Sequence, residues 1–158
     1  MIFVTVGQHS EGFPRLIKGM DEIAGRIQEK VVMQIGSTTY LPRNAHWFRF
    51  ADYEEMKHLN KAARIVVTHA GAGSIITALQ AETTVVVVPR LSRYGEHIDD
   101  HQLELARALS TEGRVTAVSE VEELEGIVLG MTRPKPRSRK ANRLTQALRA
   151  RLGELEAR

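Results

Sequence analysis

The chain has 158 residues, 42% of them hydrophobic and 26% charged, with no cysteine and a formal net charge of +3. That length suits one domain with a core of its own. The mix excludes wholesale disorder, and the missing thiols exclude a disulfide framework, a thiolate zinc site and a cysteine nucleophile. No unbroken apolar run exceeds four residues, as at Val85 to Val88, which is far short of a membrane span. The N-terminal Met1-Ile-Phe-Val-Thr-Val-Gly7 lacks the basic segment of a signal peptide. The expectation is a soluble, intracellular protein. Charge is uneven: after residue 130, nine Lys/Arg face only Glu154 and Glu156, so a basic tail follows a mildly acidic body. Such a tail suits lipid headgroups, nucleic acid or an acidic partner, or it is the solvated face of a helix.

Along the chain, Ile2 to Val6 is a β-branched apolar stretch ending at Gly7, a buried strand and a tight turn. Phe13, Leu16, Ile17, Met20, Ile23 and Ile27 recur at helical spacing, with Pro14 tolerated in the first turn. Val31 to Ile35 is a second strand and Trp47 to Phe50 a short third, with Trp47 expected in the core. Tyr53, Met56, Leu59 and Ala63 mark a helix that Asp52 can cap. Arg64 to Thr68 is a strand, Ala72 to Ala81 a helix opening on glycines, and Thr84 to Val88 a strand stopped by Pro89. A polar loop over 90–98 leads to a helix from Asp99 to Ser110, with Leu103, Ala106 and Leu109 inward. Val115 to Val118 is a strand, and Ser119 caps a helix to about Leu129 with Glu122 at the capping-box position. Pro134 and Pro136 precede a last helix from about Ser138. The alternation predicts an α/β fold, a mainly parallel sheet with helices on both faces, over 1–130. A basic linker and helix occupy 131–158.

In such sheets the ligand sits at the carboxyl ends of the strands, near the switch point. Three segments that follow strands hold polar residues out of place in a pure scaffold. The first is Ile65-Val-Val-Thr68-His69-Ala-Gly71-Ala72-Gly73-Ser74. Its glycines admit a close ligand, and the helix N-terminus that follows can bind phosphate without metal. It is neither a Walker A loop, lacking the spacing and the lysine, nor G-x-G-x-x-G, because Ile76 stands at the last position. A turn that needs glycine for packing alone has the same pattern. The second is Pro89 to Gln102, with Arg90, Arg93, Glu96, His97, Asp99, Asp100 and His101. No H-E-x-x-H appears, and no metal site is expected. Asp99 and Asp100 also suit the N-cap of the next helix. The third is Thr5-Val-Gly7-Gln8-His9-Ser10, where His9 can contact phosphate or accept a proton, or belongs to a helix start around Ser10. Gly36-Ser-Thr-Thr39 offers further hydroxyls, and His46 and His58 are expected to be surface or structural residues.

His69-Ala-Gly-Ala-Gly-Ser74, the apolar strand ending in Pro89, and Asp100-His101-Gln102-Leu-Glu-Leu-Ala106 together resemble the donor-binding half of GT-B glycosyltransferases of family 28. Phe3-Val-Thr-Val-Gly7 and Pro89-Arg-Leu-Ser-Arg-Tyr-Gly-Glu96-His97-Ile-Asp-Asp-His101-Gln102 are similar, more narrowly, to PssE-type subunits of bacterial exopolysaccharide synthesis. Those in turn look like the cytosolic donor-binding subunit of the two-part N-acetylglucosaminyltransferase acting on dolichol-linked glycans. The resemblance covers roughly residues 1–130. It implies a Rossmann-like half-enzyme that binds a UDP-sugar, with a membrane-associated partner supplying the acceptor side. The implied reaction moves a sugar to a polyprenyl-diphosphate-linked glycan, with inversion and without metal or cofactor. The implied location is cytoplasmic, peripheral at the inner face of the membrane, where the basic tail would meet lipid or the partner.

The resemblance also implies site residues. The diphosphate lies at the amides of Gly71, Ala72 and Gly73, with His69 and Ser74 beside it. Donor sugar hydroxyls meet His101 and Gln102, with Glu96 and His97 in the same donor loop. Gly7, Gln8 and His9 lie across the interdomain cleft. The general base is His9 or Glu96, or comes from the partner. Thr77 stands where many such sites carry the acid that clamps ribose. Arg90 and Arg93 suggest a glucuronate donor, whose carboxylate arginine pairs with in bidentate fashion. Two rival readings keep their place: a non-catalytic nucleotide-sugar-binding regulator, and a nucleic-acid-binding protein. Against the second stand a positive charge confined to the tail and an aromatic content of 5%.

Overall fold

The computed structural model describes residues 1–131 and Ala150. Among the described residues, six strands and five α-helices follow one another, with β2 and β3 the one pair of successive strands without a helix between: β1 (Ile2–Thr5), α1 (Pro14–Ala24), β2 (Val31–Gln34), β3 (His46–Phe48), α2 (Tyr53–Ala62), β4 (Ile65–His69), α3 (Ala72–Gln80), β5 (Thr84–Val88), α4 (His101–Thr111), β6 (Thr116–Ala117) and α5 (Leu124–Gly130). The strands form one sheet in the order β3-β2-β1-β4-β5-β6, and every pairing is parallel. This is the doubly wound order of Rossmann-like domains, and its topological switch lies between β1 and β4.

Side-chain alternation explains the two faces. Ile2, Val4, Val31, Met33, Ile65, Val67, Val86 and Val88 turn to one face, where Leu16, Ile17, Met20 and Ile23 of α1 and Leu124 and Val128 of α5 cover them. Phe3, Val32, Val66, Val85 and Val87 turn to the other, beneath Ile75 and Ala78 of α3 and Ala106 and Leu109 of α4. Strands covered on both sides read as continuous apolar runs, the mark of parallel sheets.

Several boundaries differ from expectation for identifiable reasons. Helix α1 ends at Ala24, where the Gly25 N–H closes back on Asp21 and Ile23, so Ile27 packs on the core from outside the helix. Asp52 caps α2 as expected, its carboxylate accepting from Glu55 N. Helix α4 begins at His101 rather than Asp99. Asp100 occupies its N-cap position without capping, because its Oδ1 accepts from Ser92 N at 2.9 Å instead. Ser119 caps nothing: Val121–Glu123 is a 3₁₀ turn preceded by Glu120 without a side-chain cap, and the Ser119 carbonyl accepts from Arg15. Trp47 is not in the core. It lies on the sheet's edge strand, 39% exposed, with the Arg49 guanidinium over its ring. His46 and His58 are at the surface, as expected. The expected last helix, the 131–158 segment as a unit and its docking role lie outside the described residues. Among the described residues no helix is long and apolar enough to cross a membrane.

Candidate functional site

A cleft of about 380 Å³ opens at the carboxyl ends of β1 and β4, where the topology reverses. One wall is the start of α3: Gly71, Gly73, Ser74 and, a turn later, Thr77. The other is Phe50, Ala51, Tyr53, Met56 and Asn60, on and before α2. Thr5, Gly7, Gln8, Gln34 and His69 form the floor. The first intrahelical bond of α3 runs from Ile75 N to the Gly71 carbonyl. The amides of Ala72, Gly73 and Ser74 therefore precede the helix's own bonding, at the positive end of its dipole.

His69 determines the shape of the floor. Its ring lies so close under both loops that a Cβ on Gly71 would overlap it, and one on Gly7 would come within 2.6 Å of its Cε1. Gly7 also has φ +70°, a conformation side chains resist. Burial first, and the neighbouring Arg90 guanidinium second, push the His69 imidazole down to about 4. At neutral pH the ring is uncharged, so an anion in the cleft meets it as a neutral hydrogen-bonding group. Gln34, the lone polar residue of β2, holds the Gly7 turn. Its Oε1 accepts from Thr5 Oγ1 at 2.7 Å and from Gly7 N at 3.1 Å, and its Nε2 donates to the Gly7 and Arg49 carbonyls.

The expected residues separate into groups. Gly7, Gln8, His69, Gly71, Gly73, Ser74 and Thr77 come together around the cleft, and Ala72 sits between them as the first residue of α3. The Thr77 hydroxyl proton is already donated to the Gly73 carbonyl at 2.9 Å. His97 and His9 meet, their ring centroids 5.6 Å apart, and both lie close enough to His69 to disfavour its charge. Gln102 turns inward and accepts from Arg90 N at 3.1 Å, tying α4 to the end of β5. His101 is exposed, 3.6 Å from the Asp99 carboxylate. Among the described residues no group of His, Cys, Asp and Glu could hold a metal ion.

Three expectations do not fit this geometry. Arg90 is fully buried, its guanidinium over the Phe13 ring and donating to the Gly12 and Val6 carbonyls. It is a strut between β5 and the β1 loop with no face for a ligand. Arg93 is exposed but paired with Glu120 at 2.6 Å and stacked on Tyr94, so the two arginines form no carboxylate clamp. Glu96 has no free carboxylate: its two oxygens accept from Arg15 Nε at 2.7 Å and Nη2 at 2.9 Å, and Oε2 also accepts from Leu91 N. That locks the loop but leaves Glu96 unable to serve as a base.

The histidines differ chemically. His9 Nδ1 accepts from Glu11 N at 3.2 Å, so that lone pair is already engaged. His97 Nδ1 faces Asp99 Oδ1 at 3.1 Å, a contact in which the carboxylate can only accept, so Nδ1 is the donor and Nε2 points elsewhere. Phe50, Tyr53, Met56, Asn60 and Gln34 belong to the cleft although their spacing marked them only as helix or strand residues. The available signal was Gln34 itself, a polar residue closing an apolar strand.

The UDP-N-acetylglucosamine transferase subunit ALG13 of Homo sapiens is 31% identical over 127 residues, covering 72% of this chain and 10% of that protein. The same subunit of Eremothecium gossypii is 34% identical over 86 residues, 53% of this chain and 40% of that one. The chain thus spans less than half the length of either relative. Among solved structures, the glycotransferase of kitacinnamycin superposes with TM-score 0.62 at 19% identity, over 99% of this chain and 39% of that one. The glycosyltransferase SnogD from Streptomyces nogalater superposes with TM-score 0.53 at 20% identity, over 75% and 30%. These superpositions show the shared fold. The model of the glycosyltransferase family 28 C-terminal domain matches residues 1–154, and the chain belongs to that family.

Proposed function

We propose that this chain is the donor-binding subunit of a two-chain glycosyltransferase that takes its sugar from a UDP-sugar. The observation that carries the reading is the meeting, at one switch point, of the unbonded amides of α3, the neutral His69 and a cleft with two aromatic side chains, Phe50 and Tyr53, at its wall. Amides and the helix dipole suit a diphosphate, and the aromatic wall suits a base. The likeness to relatives named as UDP-N-acetylglucosamine transferase subunits supports the same ligand class.

In this reading the acceptor hydroxyl attacks the anomeric carbon from the face opposite UDP, which inverts it. The bond to the diphosphate oxygen breaks, UDP leaves with the electron pair, and the α3 amides stabilise its growing charge. The hydroxyl proton goes to His97 Nε2, with Asp99 holding the ring. The acceptor, proposed as a polyprenyl-diphosphate-linked glycan of exopolysaccharide or related synthesis, is brought by a membrane-associated partner chain that completes the GT-B cleft. The basic residues after 130 would add attraction to that partner or to anionic lipid.

The test is calorimetric titration of the purified chain with UDP, with and without magnesium, beside Ser74→Ala and His69→Ala. Binding that ignores magnesium and weakens in both variants is expected. A folded chain that binds no UDP, alone or with its partner, overturns the reading. UDP binding without sugar transfer in the two-chain complex would instead favour a regulatory nucleotide-sugar sensor, to which Thr77 in place of an acid also points.

A further inference from the structure

One buried polar atom of a cleft-lining residue is left over by this reading. Asn60, in the last turn of α2, is 2% exposed and belongs to the cleft wall facing Thr77. Its Nδ2 donates to the Met56 carbonyl at 2.7 Å, and its backbone carbonyl accepts from Thr83 Oγ1 at 2.8 Å. Its Oδ1 is buried and has no partner among the described residues.

The Met56 bond settles the amide's orientation, since a flip would set two carbonyl oxygens against each other. The orphan is therefore an acceptor, and what it lacks is a hydrogen on nitrogen or oxygen. Folded proteins leave few such atoms unsatisfied. The neighbouring wall does not supply the hydrogen: the side chains of Phe50, Ala51 and Met56 present carbon, and Tyr53, 61% exposed, makes no bond to it. Thr77 across the cleft has given its proton to Gly73, and Thr5 has given its own to Gln34.

We infer that Asn60 Oδ1 accepts a hydrogen bond from the nucleoside of the bound donor, from a ribose hydroxyl or from the imide N–H of the base, and so determines nucleotide specificity. This rests on the donor-site reading above. It assigns to α2 the polar recognition that Thr77, on α3, is poorly equipped to give.

The experiment compares UDP with 2′-deoxy-UDP, 3′-deoxy-UDP and CDP, whose ring N3 is an acceptor, by calorimetry on the wild-type chain and on Asn60→Leu. In the wild type, the analogue that lacks the relevant donor binds about tenfold more weakly than UDP, the worth of one neutral hydrogen bond. Which analogue it is identifies ribose or base. In Asn60→Leu, UDP and that analogue bind within about twofold of each other, because the variant has lost the acceptor. Asn60→Ser serves if leucine prevents folding, and the wild-type ratios need no variant. Equal binding of all four nucleotides by the wild type overturns the inference, as does a variant that keeps the wild-type ratio. A folded wild-type chain that binds no UDP overturns the donor-site reading and this one with it. UDP binding without discrimination overturns this one alone.

Discussion

Lowering the pH should destabilise this fold through His69 before any carboxylate is involved. Its imidazole falls from an ordinary 6.5 to about 4 on folding, chiefly because burial disfavours the charged ring. The unfolded chain therefore binds its proton at higher pH than the fold does. The stability His69 contributes is complete above pH 6.5, drains away as pH falls from 6.5 toward 4, and changes no further below that. A shift of this size is worth about 3 kcal/mol, or roughly 6–12 °C in midpoint for a domain of this length. The assay is urea or thermal unfolding at pH 7.5, 5.5 and 4, for wild type and His69→Gln. The variant starts less stable or equal at pH 7.5 and loses about 3 kcal/mol less than wild type on the way to pH 4. The same quantity is read directly by NMR titration of the His69 ring. A ring midpoint at 6 or above, or parallel pH curves for the two proteins, refutes the reasoning. A bound diphosphate should raise the ring's midpoint, since an anion beside it favours the imidazolium.

Other outcomes follow from the same geometry. Gly71→Ala should cost about 1–3 kcal/mol by driving a methyl into the His69 ring; most of that cost should vanish in the His69→Ala background, and additivity of the two changes would show that the ring is not the obstacle. Arg15→Met should cost about 3 kcal/mol in chemical denaturation, because it strands the 8% exposed Glu96 carboxylate without its bidentate partner. Adding Glu96→Gln to Arg15→Met should recover part of that loss, and no recovery would mean the pair is not coupled. Glu29 is held down to about 2, first by hydrogen bonding to Arg64 and also by the N-terminal amine. Its contribution is therefore present above pH 4.5 and lost as pH falls toward 2, and Glu29→Gln should flatten that part of the acid-unfolding curve and leave the part above pH 5 unchanged.

The strand and helix alternation was legible because each signal is local. Val85 to Val88 reads as a doubly covered strand whatever its neighbours are, and Asp52 caps α2 using only groups three residues apart. The glycines at 7, 71 and 73 line the cleft, and at 7 and 71 the His69 ring leaves no room for a Cβ, the packing role that the same pattern allowed. What the local pattern misjudged were side chains whose partners lie far along the chain. Arg90 looked like a ligand group because it follows a strand, yet Gly12 and Val6, more than seventy positions away, take its guanidinium. Glu96 looked like a base until Arg15 of α1 met it. Trp47 looked like core because it is large and apolar, but the strand order places it on an edge.

Local residue pattern was enough to place the strands and helices in order, to mark their apolar faces and to find the glycine turns at the strand ends. Which polar side chains stay available at the cleft was settled by long-range packing, because it depends on the charges and carbonyls that the folded sheet brings against them. The same burial that neutralises His69 also withdraws Arg90 and Glu96 from solvent and leaves Asn60 Oδ1 without a partner.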